Sequence, residues 1–211
     1  MNWTLARRCQ IFAVLVLGSS LILTSAARPV AAAPAATTAP AVLTDLDELL
    51  KLFAARHSAR ATFTEVHEMA ILDRPLESSG ELLYETPDRL EKRTFKPKTE
   101  DLVLEGGVLT AERGHHHYSI TLRDHPEAVP YIEPIRATLA GDRAALERYF
   151  AIEFTGSMED WTLTLVPADR ALARTVKRVR LQGAREHITS VEVLETNGDR
   201  SLTTISAEVT P

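Results

Sequence analysis

Eleven short stretches of strand pattern, six before and five after one helical stretch, constrain the fold of this chain more than any motif in it. Residues 61–66, 80–84, 89–96, 100–105, 108–113 and 115–122 are rich in the β-branched, aromatic and leucine side chains that suit a pleated surface. Gly106-Gly107 separates two of them as a tight hairpin turn. Strand pattern resumes at 151–155, 161–166, 176–182, 188–195 and 201–207, and Thr196-Asn197-Gly198-Asp199 is the strongest hairpin signal in the chain. Between the two groups, Val129, Ile132, Ile135 and Leu139 recur at helical spacing up to Gly141. Pro130 and Pro134 predict that this helix is broken or begins late. Asp142 then caps a short helix that contains Leu146, Tyr149 and Phe150. A further helix over 44–58 precedes all strands, with Thr44 as its cap and Leu46, Leu49, Leu50 and Phe53 as its apolar stripe.

So many mostly antiparallel strands in one sheet must curl, split or close. Few helices are available to cover the concave side. The predicted class is therefore α+β, mainly β: an incomplete, strongly curved antiparallel barrel of about eleven strands with helices over its concave face. Residues 44–211 form its single domain. Residues 1–33 read as a cleaved export signal, with Arg7 and Arg8 ahead of the apolar run 11–23 and small-residue cleavage sites after it. Residues 34–43, mostly Ala, Thr and Pro, read as a flexible linker. The only cysteine, Cys9, lies in the leader, so the exported body needs no disulfide and has no thiol chemistry.

The full chain has a net charge of −5, and the leader holds three arginines and no acid, so the exported body is more acidic still. That excludes a strongly basic nucleic-acid binder. Nucleophile elbows, phosphate-binding loops and dinucleotide fingerprints are absent. His67-Glu68 opens a zinc-protease pattern, but Ile71 stands where the second histidine belongs. His115 and His117 share one strand face without an acidic or cysteine partner in the segment, so they read as a solvated strand edge. Glu65, Glu68, Glu81 and Glu85 read as solvent-facing strand residues, and the basic cluster over 170–185 as a docking patch. No catalytic residue, cofactor or metal site is predicted.

Several stretches resemble a known family. Phe63-Thr64-Glu65 follows an amphipathic helix, and residues 79–84 lead into Pro87-Asp88-Arg89-Leu90 and then Glu100-Asp101-Leu102-Val103-Leu104-Glu105-Gly106-Gly107. With Leu139-Ala140-Gly141-Asp142, Trp161-Thr162-Leu163 and Gly198-Asp199-Arg200-Ser201, this order resembles the LolA-type periplasmic carriers of outer-membrane lipoproteins, in particular their divergent LolA-like branch. The resemblance implies an incomplete eleven-stranded barrel with a helical lid over an oily cavity. It also implies a monomeric periplasmic carrier of acylated lipoprotein or another lipid, with an inner-membrane release complex as donor and an outer-membrane receptor as acceptor. The better-known carriers hold the lid shut through an arginine just before the proline that precedes the third strand. Here that position is Thr86, and Arg89 and Arg93 are the candidates to replace it.

Strand and helix parity then proposes the lining. Phe63, Leu82, Tyr84, Leu90, Leu102, Leu104, Tyr118, Ile120, Trp161 and Leu163 are the candidate cavity residues, and Ile132, Ile135 and Leu139 the candidate lid face. The other reading of the same residues is a non-catalytic envelope-assembly protein with a filled core.

Overall fold

The computed structural model describes residues 39–206, with side chains from residue 45 onward. Its elements run α1 (Ala39–Ala54), β1 (Ser58–Glu68), β2 (Leu76–Glu85), β3 (Arg89–Lys96), β4 (Glu100–Glu105), β5 (Val108–Arg113), β6 (His116–Thr121), α2 (Val129–Leu139), α3 (Arg143–Tyr149), β7 (Phe150–Ser157), β8 (Asp160–Pro167), β9 (Val176–Ala184), β10 (His187–Glu195) and β11 (Arg200–Ser206). Short 3-10 turns precede α2 and β9. No helix among these residues is long and apolar enough to cross a membrane.

All eleven strands form one sheet in the order β6-β5-β4-β3-β2-β1-β11-β10-β9-β8-β7. Every pairing is antiparallel, and the first and last strands meet in the middle. The sheet is open and curled, because β6 and β7 remain as edges. The chain crosses from one edge to the other through α2 and α3, which is what lays helices over the inner face. The α+β incomplete barrel is therefore the observed fold.

Three local expectations change. The first helix begins at Ala39 and ends at Ala54, so residues 39–43 belong to it rather than to a linker, and Thr44 lies inside it rather than at its cap. Pro40 in the first turn costs nothing there, because its missing N–H would have no intrahelical partner. The helix also stops before Ser58, which is already paired with Glu85 in the sheet. The helix over Val129–Leu139 is continuous: Pro130 sits in its first turn, and Pro134 is buried in its interior. Thr138 Oγ1 donates back to the Pro134 carbonyl at 2.7 Å, which satisfies the buried hydroxyl within the helix. Residues 1–38 and 207–211, including the proposed leader and the last residue of the final strand pattern, lie outside the described residues.

Candidate functional site: the inner face of the curled sheet

Side chains alternate along each strand, so the register sorts the sheet into an inner and an outer face. Successive inner-face rows run across β1 to β6. The first row is Ala59, Tyr84, Leu90, Leu104, Leu109 and Ile120. The second is Ala61, Leu82, Lys92, Leu102, Ala111 and Tyr118. Phe63 pairs with Gly80 and Thr94 in the third, where Glu100 and Arg113 form a 2.9 Å ion pair. Glu65 faces Ser78 and Thr203 in the next. The face is thus graded. It is apolar toward the β2–β3 turn, the lower end of the sheet, and polar toward the β1–β2 loop, its upper end.

The two halves of the inner face differ in what covers them. On β7 to β10, Phe150, Phe154, Trp161, Leu163, Leu165, Val179, Leu181, Val191 and Val193 form one packed core with Leu46, Leu49, Leu50 and Phe53 of α1 and Leu146 of α3. Phe53 meets Trp161 edge to face, with ring centroids 6.0 Å apart. The helices make their main sheet contacts with β7 and β9. On β2 to β6, Leu82, Leu90, Leu102, Tyr118 and Ile120 are only half-buried, and none belongs to that core.

The predicted residues divide accordingly. Phe63, Leu82, Tyr84, Leu90, Leu102, Leu104, Tyr118 and Ile120 come together on the β1 to β6 half. Trp161 and Leu163 also point inward, but they are sealed in the packed half beneath α1. Ile135 and Leu139 of α2 lie against the packed core, while Ile132 is half-buried outside it. A shallow cleft of about 240 Å³ lies elsewhere, under the β1–β2 loop between Met69, Leu72, Pro75 and Gly198.

One inner-face group departs from the sequence expectation. Glu65 is not solvent-facing; its side chain is only 13% exposed. Its Oε2 accepts from Lys92 Nζ at 2.7 Å and from Ser78 Oγ at 3.1 Å. Its Oε1 accepts from Ser201 Oγ at 3.0 Å and Thr203 Oγ1 at 3.2 Å. Burial raises the Glu65 pKa, but the charge of Lys92 and the hydrogen bonds from Lys92, Ser201 and Ser78 outweigh it and hold the carboxyl below its usual value. Lys92 reaches this carboxylate by passing over Phe63, with Nζ 4.8 Å from the ring centroid. Phe63 is therefore buried and roofed by a cation. Strand parity through Phe63 could have placed Glu65 inside, since the two are two residues apart.

Neither candidate replacement for the family arginine reaches the helices. Arg89 and Arg93 lie on the outer face, where both pair with Glu91. The sheet instead holds α2 through Tyr131, whose hydroxyl donates to Glu195 Oε1 at 3.0 Å. Burial raises the Glu195 pKa, the Tyr131 hydrogen bond opposes this, and the charge of Asp199 adds to it. Within α2, Arg136 is bidentate to Glu133 at 2.6 and 2.9 Å, and its charge is felt by the Tyr84 phenol. A hydrogen bond to a charged acceptor contributes about 1.5 kcal/mol or more. Tyr131→Phe should therefore lower stability in urea by about that amount, and an unchanged midpoint would show that the contact does not hold the helix.

The basic run over 170–185 is partly engaged on the sheet, while Arg170, Arg174 and Lys177 are exposed. Arg178, Arg180 and Arg200 all turn toward Glu192 on the outer face, at 3.6, 3.5 and 2.6 Å, and Arg185 pairs with Glu159 at 3.1 Å. His117 meets Glu112 at 3.1 Å on the exposed edge, and His116 stacks on Tyr118. Among the described residues, no group of three or more His, Cys, Asp or Glu side chains is placed to hold a metal ion.

An open, curled antiparallel sheet with helices across its inner face is the incomplete-barrel class of fold. The chain belongs to the family described as outer membrane lipoprotein carrier protein LolA-like, which matches residues 35–210. Among solved structures it is similar to a LolA superfamily protein from Nitrosomonas europaea, with 10% identity over 81% of this chain and 94% of that chain and a TM-score of 0.46. It is also similar to a putative outer membrane lipoprotein-sorting protein domain from Vibrio parahaemolyticus, with 10% identity over 78% and 91% and a TM-score of 0.42. LprF from Mycobacterium bovis matches with 13% identity over 82% and 96% and a TM-score of 0.36. No curated protein matches the sequence.

Proposed function

We propose that this chain is a non-enzymatic periplasmic carrier, exported by residues 1–33, that takes the acyl chain of a lipoprotein or related lipid and shuttles it from the inner to the outer membrane. The observation that carries this reading is the half-buried apolar wall on β2 to β6, which the helix-covered core leaves out. Leu82, Leu90, Leu102, Tyr118 and Ile120 line the guest site in this reading, with Tyr84 and Leu104 behind them and Ile132 of α2 on the lid side. The graded rows orient an amphiphile, with its tail along the lower rows and its polar group toward Lys92 and Glu65.

Burying a methylene contributes about 0.8 kcal/mol, so an acyl chain of roughly fifteen methylenes gains on the order of 12 kcal/mol when fully enclosed. Such a gain corresponds to about nanomolar binding. A wall that stays part-exposed gives up some of that gain, which suits release. Direction then comes from differential affinity at the two membranes, supplied by a donor complex and a receptor. This chain itself needs no cofactor in that scheme.

Saturable binding of a hydrophobic fluorescent probe, displaced by a fatty acid or lipopeptide, tests the proposal. Leu102→Asp should weaken the probe at least about tenfold, since a desolvated carboxylate costs well over 1.4 kcal/mol. Thr110→Asp, on the outer face of the adjacent strand, should leave binding unchanged. Probe binding that is unsaturable, or equally weakened by both variants, would rule the inner face out as the guest site.

A further inference from the structure

Six large apolar side chains are exposed among the described residues: Ile71, Leu72, Leu76, Phe95, Val108 and Val166. Scattered exposed apolar residues carry no message, but a cluster does. Four of the six sit at the upper end of the sheet. Ile71, 64% exposed, and Leu72, 40% exposed, tip the β1–β2 loop; Leu76, 52% exposed, opens β2; and Phe95, 51% exposed, stands one residue before the end of β3. Ser79 of β2 pairs with Lys96 of β3, so the two loops emerge side by side.

The same end carries cations in an acidic protein. Lys96 and Lys98 flank Pro97 in the β3–β4 connection, and Arg74 follows Ile71 and Leu72 in the other loop. All three are exposed. Asp73 offsets Arg74, and Glu77 shares its face of β2 with Ser79, the register partner of Lys96, so Lys96 and Lys98 against Glu77 leave one positive charge as the local excess. The base of the β1–β2 loop is pinned: the Ala70 amide donates to Asp199 Oδ1 at 2.9 Å, and the Leu72 amide to the Met69 carbonyl at 3.0 Å. The apolar tip is thus held out by the fold. A protein partner is ordinarily met by a recessed apolar centre inside a polar rim. Here Ile71 and Leu72 stand exposed in a loop, and Leu76 and Phe95 stand exposed near strand ends, with long cationic side chains on the neighbouring segments.

We infer that this end of the sheet is a docking surface for a bilayer with anionic headgroups. Ile71, Leu72, Leu76 and Phe95 enter the acyl boundary, while Lys96 and Lys98 remain at the phosphate level, a division of labour that their long apolar stems permit. Attraction to an anionic surface makes the contact salt-sensitive.

Flotation of the full chain with phosphatidylcholine vesicles, with and without phosphatidylglycerol, tests this with no cargo present, so its outcome is separate from that of probe displacement. Residues 1–38 are common to every variant, and differences between variants therefore report the loops. The bound fraction should depend on phosphatidylglycerol and fall in high salt. The I71D/L72D double variant should lose at least tenfold in partition, K96E/K98E should lose the phosphatidylglycerol preference, and Val108→Asp at the opposite end should float as the unmodified chain does. The inference fails if I71D/L72D floats like the unmodified chain, or if pure phosphatidylcholine binds equally well. It also fails if I71D/L72D dissolves a self-associated form in sedimentation while flotation is unchanged, which would make the patch a contact between two copies.

Discussion

Gly183→Ala should destabilise the protein by about 3 kcal/mol, with a matching fall in its urea midpoint, because overpacking a filled core costs about 1–3 kcal/mol or more. A methyl at this position would overlap the ring of Trp161, 2.8 Å from Cε2 by ideal geometry, and the His187 carbonyl as well. The ring cannot step aside. Its Nε1 donates to the Arg185 carbonyl at 2.8 Å, Phe53 closes it edge-on, and it is fully buried. On the other flank Trp161 pairs with Gly156, so a glycine stands on each neighbouring strand: Gly183 against the indole, and Gly156, at positive φ, against the Asp160 backbone. Trp161→Ala should cost about 4 kcal/mol by emptying the same space. The two effects are coupled, because each variant acts on the volume the other occupies. The G183A/W161L double variant should therefore be destabilised by less than the sum of its single changes, by about 1 kcal/mol or more. Strict additivity would mean that Gly183 is needed for its backbone near His187 rather than for the ring.

That pair of glycines marks a limit of sequence reading. Strand number and hairpins were legible because turn chemistry is local: Gly106 and Gly107 both adopt the positive φ that a primed turn requires, and Gly198 does so in the last hairpin. Inner-face parity was legible for Leu82, Leu90, Leu102, Tyr118 and Ile120 for the same reason. Which half of the face is filled was not, since Leu163 and Leu165 alternate as Leu82 and Tyr84 do. The difference lies in where the helices go, and one local signal bears on it. Helix α3 ends at Tyr149 and β7 begins at Phe150 with no loop between them, so the helix pair is tethered to the β7 side. Trp161 and Leu163 are therefore core, while their counterparts on the other half stay part-open. Glu65 was illegible as a pair member because its partners come from β2, β3 and β11, the last being 136 positions away at Ser201. Residue type alone argued for solvent.

Lys92→Met should cost about 3 kcal/mol at neutral pH, the low end for breaking a buried ion pair, because Lys92 retains some solvent contact. The methionine keeps the stem over Phe63 but leaves Glu65 charged, with only hydroxyl donors. The dependence on pH separates this from a packing defect. In the unmodified chain the Glu65 pKa is depressed, so its contribution is present above the unfolded value, near 4.5, and is lost as pH falls through the folded value. Without Lys92, burial is opposed only by the hydroxyls, and the pKa moves upward. Acid then protonates the stranded carboxyl at little cost, so the gap between Lys92→Met and the unmodified chain should narrow as pH falls below the usual carboxylate range. The E65Q/K92M double variant removes both charges and should recover most of the loss at pH 7, since neutral replacement of a buried pair is often close to neutral in energy. Equal stability of Lys92→Met and the unmodified chain at pH 7 would show that water, not Lys92, satisfies Glu65. The same double variant also tests the polar end of the graded face: with both charges gone, an amphiphile should lose its orientation advantage over a plain hydrocarbon of equal length, while the hydrocarbon's own affinity holds or rises.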